Sequence, residues 1–122
     1  MEKNISLSNA DYRLLDIVWD AEPVGSPELC RLADDKLGWK RTTTYTVIKR
    51  LCEKGCLRSE AAVVTSLVGR EEVGRAEGQQ ILQRNFGGSL PTFIAAFLDS
   101  GSVSDEDAGM IEKLIEDYRR RE

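Results

Sequence analysis

The sequence predicts a mainly α fold with a small β-hairpin. Three observations predict it. Apolar residues recur at helical spacing in three short segments separated by glycine and proline breaks. A β-branched run, Val63 to Val68, follows the third segment and reads as a strand. Further stretches of helical pattern then occupy the rest of the chain. Three helices followed by a hairpin is the order of a winged helix-turn-helix domain, expected over residues 1–68, with a helical region expected over 69–122.

The first helix is announced by Ser8 with Asp11 three residues later, a capping pair with Asp in place of the usual Glu. It is expected from about Asn9 to Asp20, with Leu14, Leu15, Ile17, Val18 and Trp19 in the core. Glu22-Pro23-Val24-Gly25 breaks it. Ser26-Pro27 then reads as an N-cap followed by proline at the first helical position. The second helix is expected over about Pro27 to Leu37, with Leu29, Leu32, Ala33 and Leu37 inward and Gly38 ending it.

The third helix begins near Arg41 and stops at Gly55, with Lys54 beside its negative end. It has two unlike faces. Val47, Ile48 and Leu51, with the Thr44 methyl, form one apolar stripe. The other face carries Thr42, Thr43, Tyr45, Thr46, Lys49 and Arg50, with Lys40 and Arg41 just before it and no carboxylate until Glu53. Small hydroxyls let a helix approach a groove closely, and Lys and Arg reach phosphates or guanine edges. An ordinary surface helix rich in threonine is the alternative. Threonine is a mediocre helix former, so the run at the start suggests capping or a task other than stability.

Cys56 to Glu60 reads as a weaker strand, pairing with Val63 to Val68 across Ala61-Ala62. The resulting wing is short, and its tip carries no Lys or Arg. A helix from about Arg70 to Phe86 follows, interrupted by Gly74 and Gly78, each costing about 1 kcal/mol relative to Ala. Val73, Ile81, Leu82 and Phe86 form its apolar edge. Leu90 to Leu98 is a short apolar helix that must be buried in something. Ser104 with Asp107 opens the last helix, with Met110, Ile111, Leu114, Ile115 and Tyr118 along one side and Arg119 to Arg121 at its end. These helices have apolar stripes and no evident core of their own. Pairing with a second copy would bury Ile81, Leu82, Phe86, Leu90, Phe93, Ile94, Phe97, Ile111, Leu114 and Ile115, and folding back on the first domain is the alternative.

Composition bounds the function. Of 122 residues, 41% are hydrophobic, enough for a core. No apolar run approaches the roughly 20 residues of a membrane span, so no membrane insertion is expected. The stretch MEKNISLSN lacks the apolar centre of a signal peptide, which makes the protein cytoplasmic by expectation. Cys30, Cys52 and Cys56 are an odd set without an export signal, which argues for reduced thiols. Cys52 and Cys56 are spaced to share a helix face, but no histidine and no second Cys pair complete a metal site. Inert thiols, no metal and no cofactor are expected. The net charge is −4, yet Trp39 to Arg58 holds six cations and one anion, a local charge of +5. Ser59 to Glu122 holds seven cations and twelve anions, a charge of −5. A local basic strip on an acidic body still grips phosphate, because salt screens the distant charges most.

The residues carry a resemblance over nearly the whole chain. Ile5-Ser6 through Leu15-Asp16-Ile17-Val18-Trp19, Trp39-Lys40-Arg41-Thr42-Thr43-Thr44-Tyr45-Thr46-Val47-Ile48-Lys49-Arg50-Leu51, Lys54-Gly55-Cys56-Leu57, and Phe86-Gly87-Gly88-Ser89-Leu90 with Ala95-Ala96-Phe97 resemble the BlaI/MecI/CopY family of bacterial repressors. The second stretch matches the family's W-x-P-T-T-V-x-T-L-L-x-R-L signature. The resemblance implies a homodimeric winged-helix repressor that binds a palindromic operator in double-stranded DNA. It implies that Thr42, Thr43, Tyr45, Thr46 and Arg50 face DNA, with Lys40, Arg41 and Lys49 on its backbone, and that the last helices form a dimerisation region. Four departures stand out. Arg41 replaces the family's proline, and the wing is shorter than in the penicillinase repressors. The bond matching their protease site is Ala96–Phe97, with alanine in place of asparagine, so a membrane sensor protease is an implied partner on altered terms. The cysteine cluster of the copper-responsive branch has no counterpart.

Two other classes compete. An enzyme finds no support in motifs: there is no histidine, no nucleophile elbow and no phosphate loop. A winged helix that binds protein without DNA readout fits the acidic total and the plain wing, and is opposed by the third helix.

Overall fold

The computed structural model of the protein describes residues 6–121; Ile5, where the likeness to the family's first helix starts, and the residues before it lie outside them. The elements are α1 (Asn9–Ala21), β1 (Val24–Gly25), α2 (Ser26–Leu37), α3 (Arg41–Glu53), β2 (Leu57–Glu60), β3 (Val63–Ser66), α4 (Arg70–Asn85), α5 (Leu90–Asp99) and α6 (Asp105–Arg120). This is the expected class, mainly α with a small β element in winged helix-turn-helix order. The chain forms two compact units, one ending at Gly78 and the other starting at Gln79.

The first unit has a continuous apolar core. Leu14, Leu15 and Val18 of α1, Leu29 and Ala33 of α2, and Leu51 of α3 have no exposed surface. Val47, Ile48, Leu57, Val64, Val68 and Val73 join them. Each fully buried large apolar side chain contributes roughly 1.5–3 kcal/mol relative to exposure. The start of α1 is fixed as its sequence predicts. The Asp11 backbone N–H donates to Ser8 Oγ, and the Ser8 N–H donates to Asp11 Oδ2, both at 3.1 Å. Trp19 is only half-buried; its Nε1 donates to the Val68 carbonyl at 2.9 Å. The Arg70 guanidinium lies over the same ring at 5.1 Å and pairs with Asp16 and Asp20.

Two local expectations change. α2 begins at Ser26, with Gly25 as its N-cap, so Ser26 is not the cap. Its N–H and hydroxyl both donate to the Ala62 carbonyl, at 2.8 and 3.2 Å, which ties the hairpin turn to the start of α2. The hairpin also gains a third strand. Val24 pairs with Val64 and Gly25 with Val63, giving the antiparallel order β1-β3-β2. Two residues are too few to show an alternating pattern, so β1 exists only through its partner. Ala61 and Ala62, at φ 51 and 63, make the two-residue turn in a conformation that glycine or asparagine usually occupies.

The end of α3 also differs. Gly55 lies at φ 79, its N–H donates to the Cys52 carbonyl, and the Cys56 N–H donates to the Leu51 carbonyl at 2.9 Å. This is a Schellman stop. Cys56 therefore lies beyond the helix and shares no helical face with Cys52. Cys30 and Cys56 are buried; burial, reinforced by Glu53, pushes the half-buried Cys52 thiol up.

In the second unit the helices are well capped and their apolar sides stay open. Ser89 Oγ accepts the Thr92 N–H, and Ser104 Oγ accepts the Asp107 N–H. Phe86, Phe93 and Phe97 form a chain of rings with centroids 5.2 and 4.8 Å apart. No residue of α5 or α6 is buried. No helix among the described residues is long and apolar enough to cross a membrane.

Candidate nucleic-acid interface

The turn between α2 and α3 is tight because Gly38 takes a left-handed φ of 69 and its N–H returns to the Asp34 carbonyl at 2.9 Å. α3 then has the inward stripe that its spacing predicts: Thr44, Val47, Ile48 and Leu51 are buried. Lys40, Arg41, Thr42, Thr43, Tyr45, Thr46 and Lys49 are exposed on the other side, and Arg50 is half-buried at its edge. The threonines do not cap the helix. Lys40 is the N-cap and makes no side-chain capping bond. Thr46 Oγ1 instead donates to the Thr42 carbonyl at 2.9 Å, and Thr44 Oγ1 to the Lys40 carbonyl at 3.4 Å. Thr42 and Thr43 are left outward, which fits a task other than stability. An open depression of about 350 Å³ runs along this edge, lined by Ala10, Thr42, Thr43, Thr46, Val47 and Arg50.

Behind that edge sits a charged group that sequence reasoning missed. Asp11 has no exposed surface. Its Oδ1 accepts from Arg50 Nε at 2.8 Å and lies 2.7 Å from Arg50 Nη2, and its Oδ2 accepts from Lys54 Nζ at 2.7 Å. Lys54 Nζ also donates to the Ser6 carbonyl at 2.8 Å. Burial pushes the Asp11 carboxyl up; Lys54, the Ser8 N–H and Arg50 together outweigh it and hold the group below the usual carboxylate range. Lys54 thus answers to a carboxylate of α1 as well as to its own helix end. The spacing of Ser8 to Asp11 and of Arg50 to Lys54 is legible locally, but nothing in the sequence joins the two pairs.

A model of the family described as "Penicillinase repressor" matches residues 7–117. The chain belongs to the penicillinase repressor family. Members are transcriptional regulators and not enzymes. The chain is similar to the penicillinase repressor of Bacillus licheniformis, 21% identical over 99% of this chain and 98% of that protein. It is also similar to an uncharacterized 16.5 kDa protein in the ptsI 3′ region of Latilactobacillus sakei, 25% identical over 93% of this chain and 81% of that one. Two solved structures share the fold. One is the Bacillus licheniformis BlaI monomeric form in complex with the blaP half-operator, with a TM-score of 0.50 and 22% identity over 59% of this chain and 93% of that one. The other, with the same figures, is the DNA-binding domain of the repressor BlaI.

Arg41 opens α3 without the rigid φ that proline supplies. The wing turn presents exposed Ala61 and Ala62, and Arg58 on β2 faces Glu60 at 3.9 Å. Of the residues expected to meet a second copy, Ile81, Leu90, Ile94, Phe97, Ile111, Leu114 and Ile115 are exposed in the single chain, while Leu82, Phe86 and Phe93 are half-buried. Ala96 and Phe97 lie inside α5, and the Phe97 ring packs on Phe93.

Proposed function

We propose that this chain represses transcription as a homodimer that reads a palindromic operator with α3 in the major groove of each half-site. The observation that carries this is the division of α3 into a buried stripe and an outer face of hydroxyls and cations, in a chain of the penicillinase repressor family. On this reading Thr42, Thr43, Tyr45 and Thr46 meet base edges, and Lys40, Arg41 and Lys49 meet the backbone, with Arg50 at the rim. The open apolar sides of α5 and α6 supply the dimer contact, and residues 1–68 and 69–122 divide the work as DNA-binding domain and dimerisation region. Two copies offer about six backbone cations, so log affinity falls against log salt with a slope on the order of −5. Titration of duplex fragments from upstream of the gene, at several salt concentrations, tests this. Absent or salt-independent binding overturns it.

The resemblance adds a release step: a membrane sensor protease cutting Ala96–Phe97 and severing α6 from the rest. Fragments ending at Ala96, found by mass spectrometry in induced cells, support the step; an intact chain there refutes it. A protein-binding winged helix is the second reading, favoured by the net charge of −4 and the cation-free turn, and the salt titration separates the two.

A further inference from the structure

Arg50 of α3 and Lys54, the C-cap of that helix, converge on one buried carboxylate of α1. We propose that Asp11 is a positioning residue for DNA readout: it fixes the rotation of α3 about its own axis, and with it the edge of α3 offered to the groove. The inference rests on the DNA-binding reading above.

Asp11 is itself tied down at both its main chain and its side chain. The capping box holds its main chain through Ser8 Oγ and its side chain through the Ser8 N–H. Its two oxygens then serve different partners, Oδ1 for Arg50 and Oδ2 for Lys54. Those partners are four residues apart, one above the other on the helix surface. Two anchors along one line leave α3 little freedom to roll.

The core does not supply this restraint alone. The buried stripe of Thr44, Val47, Ile48 and Leu51 decides which side of α3 faces inward, and apolar contacts add no directional bond across to α1. A helix with side chains has a radius of about 5–6 Å, so a roll of about 20° moves its outer tips by roughly 2 Å. Hydrogen bonds to base edges do not survive such a shift. Charge-assisted bonds are directional and resist it.

The arrangement also suits a phosphate-rich partner. The carboxylate is buried, so it does not face DNA. Two cations against one anion leave the group net positive. Arg50 keeps 40% of its side chain exposed on the rim of the depression beside Thr42, Thr43 and Thr46. Asp11 takes its Nε and Nη2, which leaves Nη1 outside the pair.

The test uses the full-length protein. Wild type first enriches a duplex from a random-sequence pool. Affinity for that duplex and for an unenriched duplex of equal length is then measured per folded molecule, with the salt slope of each. Asp11→Asn is expected to lower the ratio of the two affinities about tenfold, the scale of one mismatched base pair, with the unenriched affinity and the salt slope no lower than in the wild type, since two cations are freed. If Asp11→Asn does not fold, Lys54→Gln carries the same test, with a smaller fall in the ratio that Lys54→Arg restores. A lower melting temperature with an unchanged ratio overturns the positioning role and leaves a structural one. If wild type enriches no sequence, the DNA-binding reading fails first, and the role falls with it.

Discussion

In the unit ending at Gly78, Leu14, Leu15, Leu29 and Leu51 have no exposed surface; in the unit starting at Gln79, Leu98 is 56% exposed and Leu114 67%. Both units have well-formed, capped helices and apolar stripes at helical spacing. The difference is whether the stripes meet. α1, α2 and α3 turn theirs toward one centre, and the sheet closes it. α5 and α6 are too few to enclose an interior, because so short a segment has too much surface for its volume. Secondary structure is therefore local in both units, while burial is achieved within the chain only in the first.

Deletions on the two sides sharpen the contrast. Leu51→Ala is expected to lower the unfolding free energy by about 2–5 kcal/mol, read from urea titration, because it empties a filled site. Leu114→Ala removes the same atoms from an open face and is expected to change it by less than about 0.5 kcal/mol in dilute protein. A Leu114→Ala cost that grows with protein concentration would show that another copy covers the face. Equal costs at all concentrations would break the comparison.

Next in size is a charge placed on the open face. Ile111→Asp is expected to weaken self-association at least tenfold in sedimentation equilibrium, as an unpaired charge resists burial, while leaving the first unit's melting unchanged. Undiminished association would mean that the α6 face is not the contact.

Acid should act on the first unit through Asp11. The Asp11 carboxyl is held below its ordinary 3.8, so it contributes stability above that value and loses it as pH falls through the lower native one. Thermal melts from pH 5 downward should therefore show a fall in stability that Asp11→Asn flattens. A fall of equal steepness in the variant would refute the assignment.

The smallest effect concerns strain that the first unit tolerates. Ala61 sits at φ 51, so Ala61→Gly is expected to raise stability by roughly 0.5–1 kcal/mol in thermal or urea melts. A decrease would mean that the methyl group does more in packing than it costs in the backbone.

What could be read from the residues follows the range of the interactions. The Ser8–Asp11 cap and the stripe of Thr44, Val47, Ile48 and Leu51 lie within a few turns of one helix, and both appear as expected. The outer face of α3 is legible for the same reason, since helical spacing sorts its side chains without help from the rest of the chain. Ser26 is misassigned as a cap because its partner, the Ala62 carbonyl, lies in a distant turn. Cys56 leaves the helix because the Gly55 stop ends α3 at Glu53, three residues short of Cys56.

Sequence by itself determined the helices, the caps at Ser8 and Ser104, the inward side of α3 and the cations on its outer face, because each depends on spacing within one segment. Tertiary structure alone decided that Val24-Gly25 is a strand and that the wing turn is tied to α2. It also decided that Arg50 and Lys54 share the buried carboxylate of Asp11. Those outcomes depend on which distant groups the packed core brings within hydrogen-bonding distance, and periodicity carries no record of that.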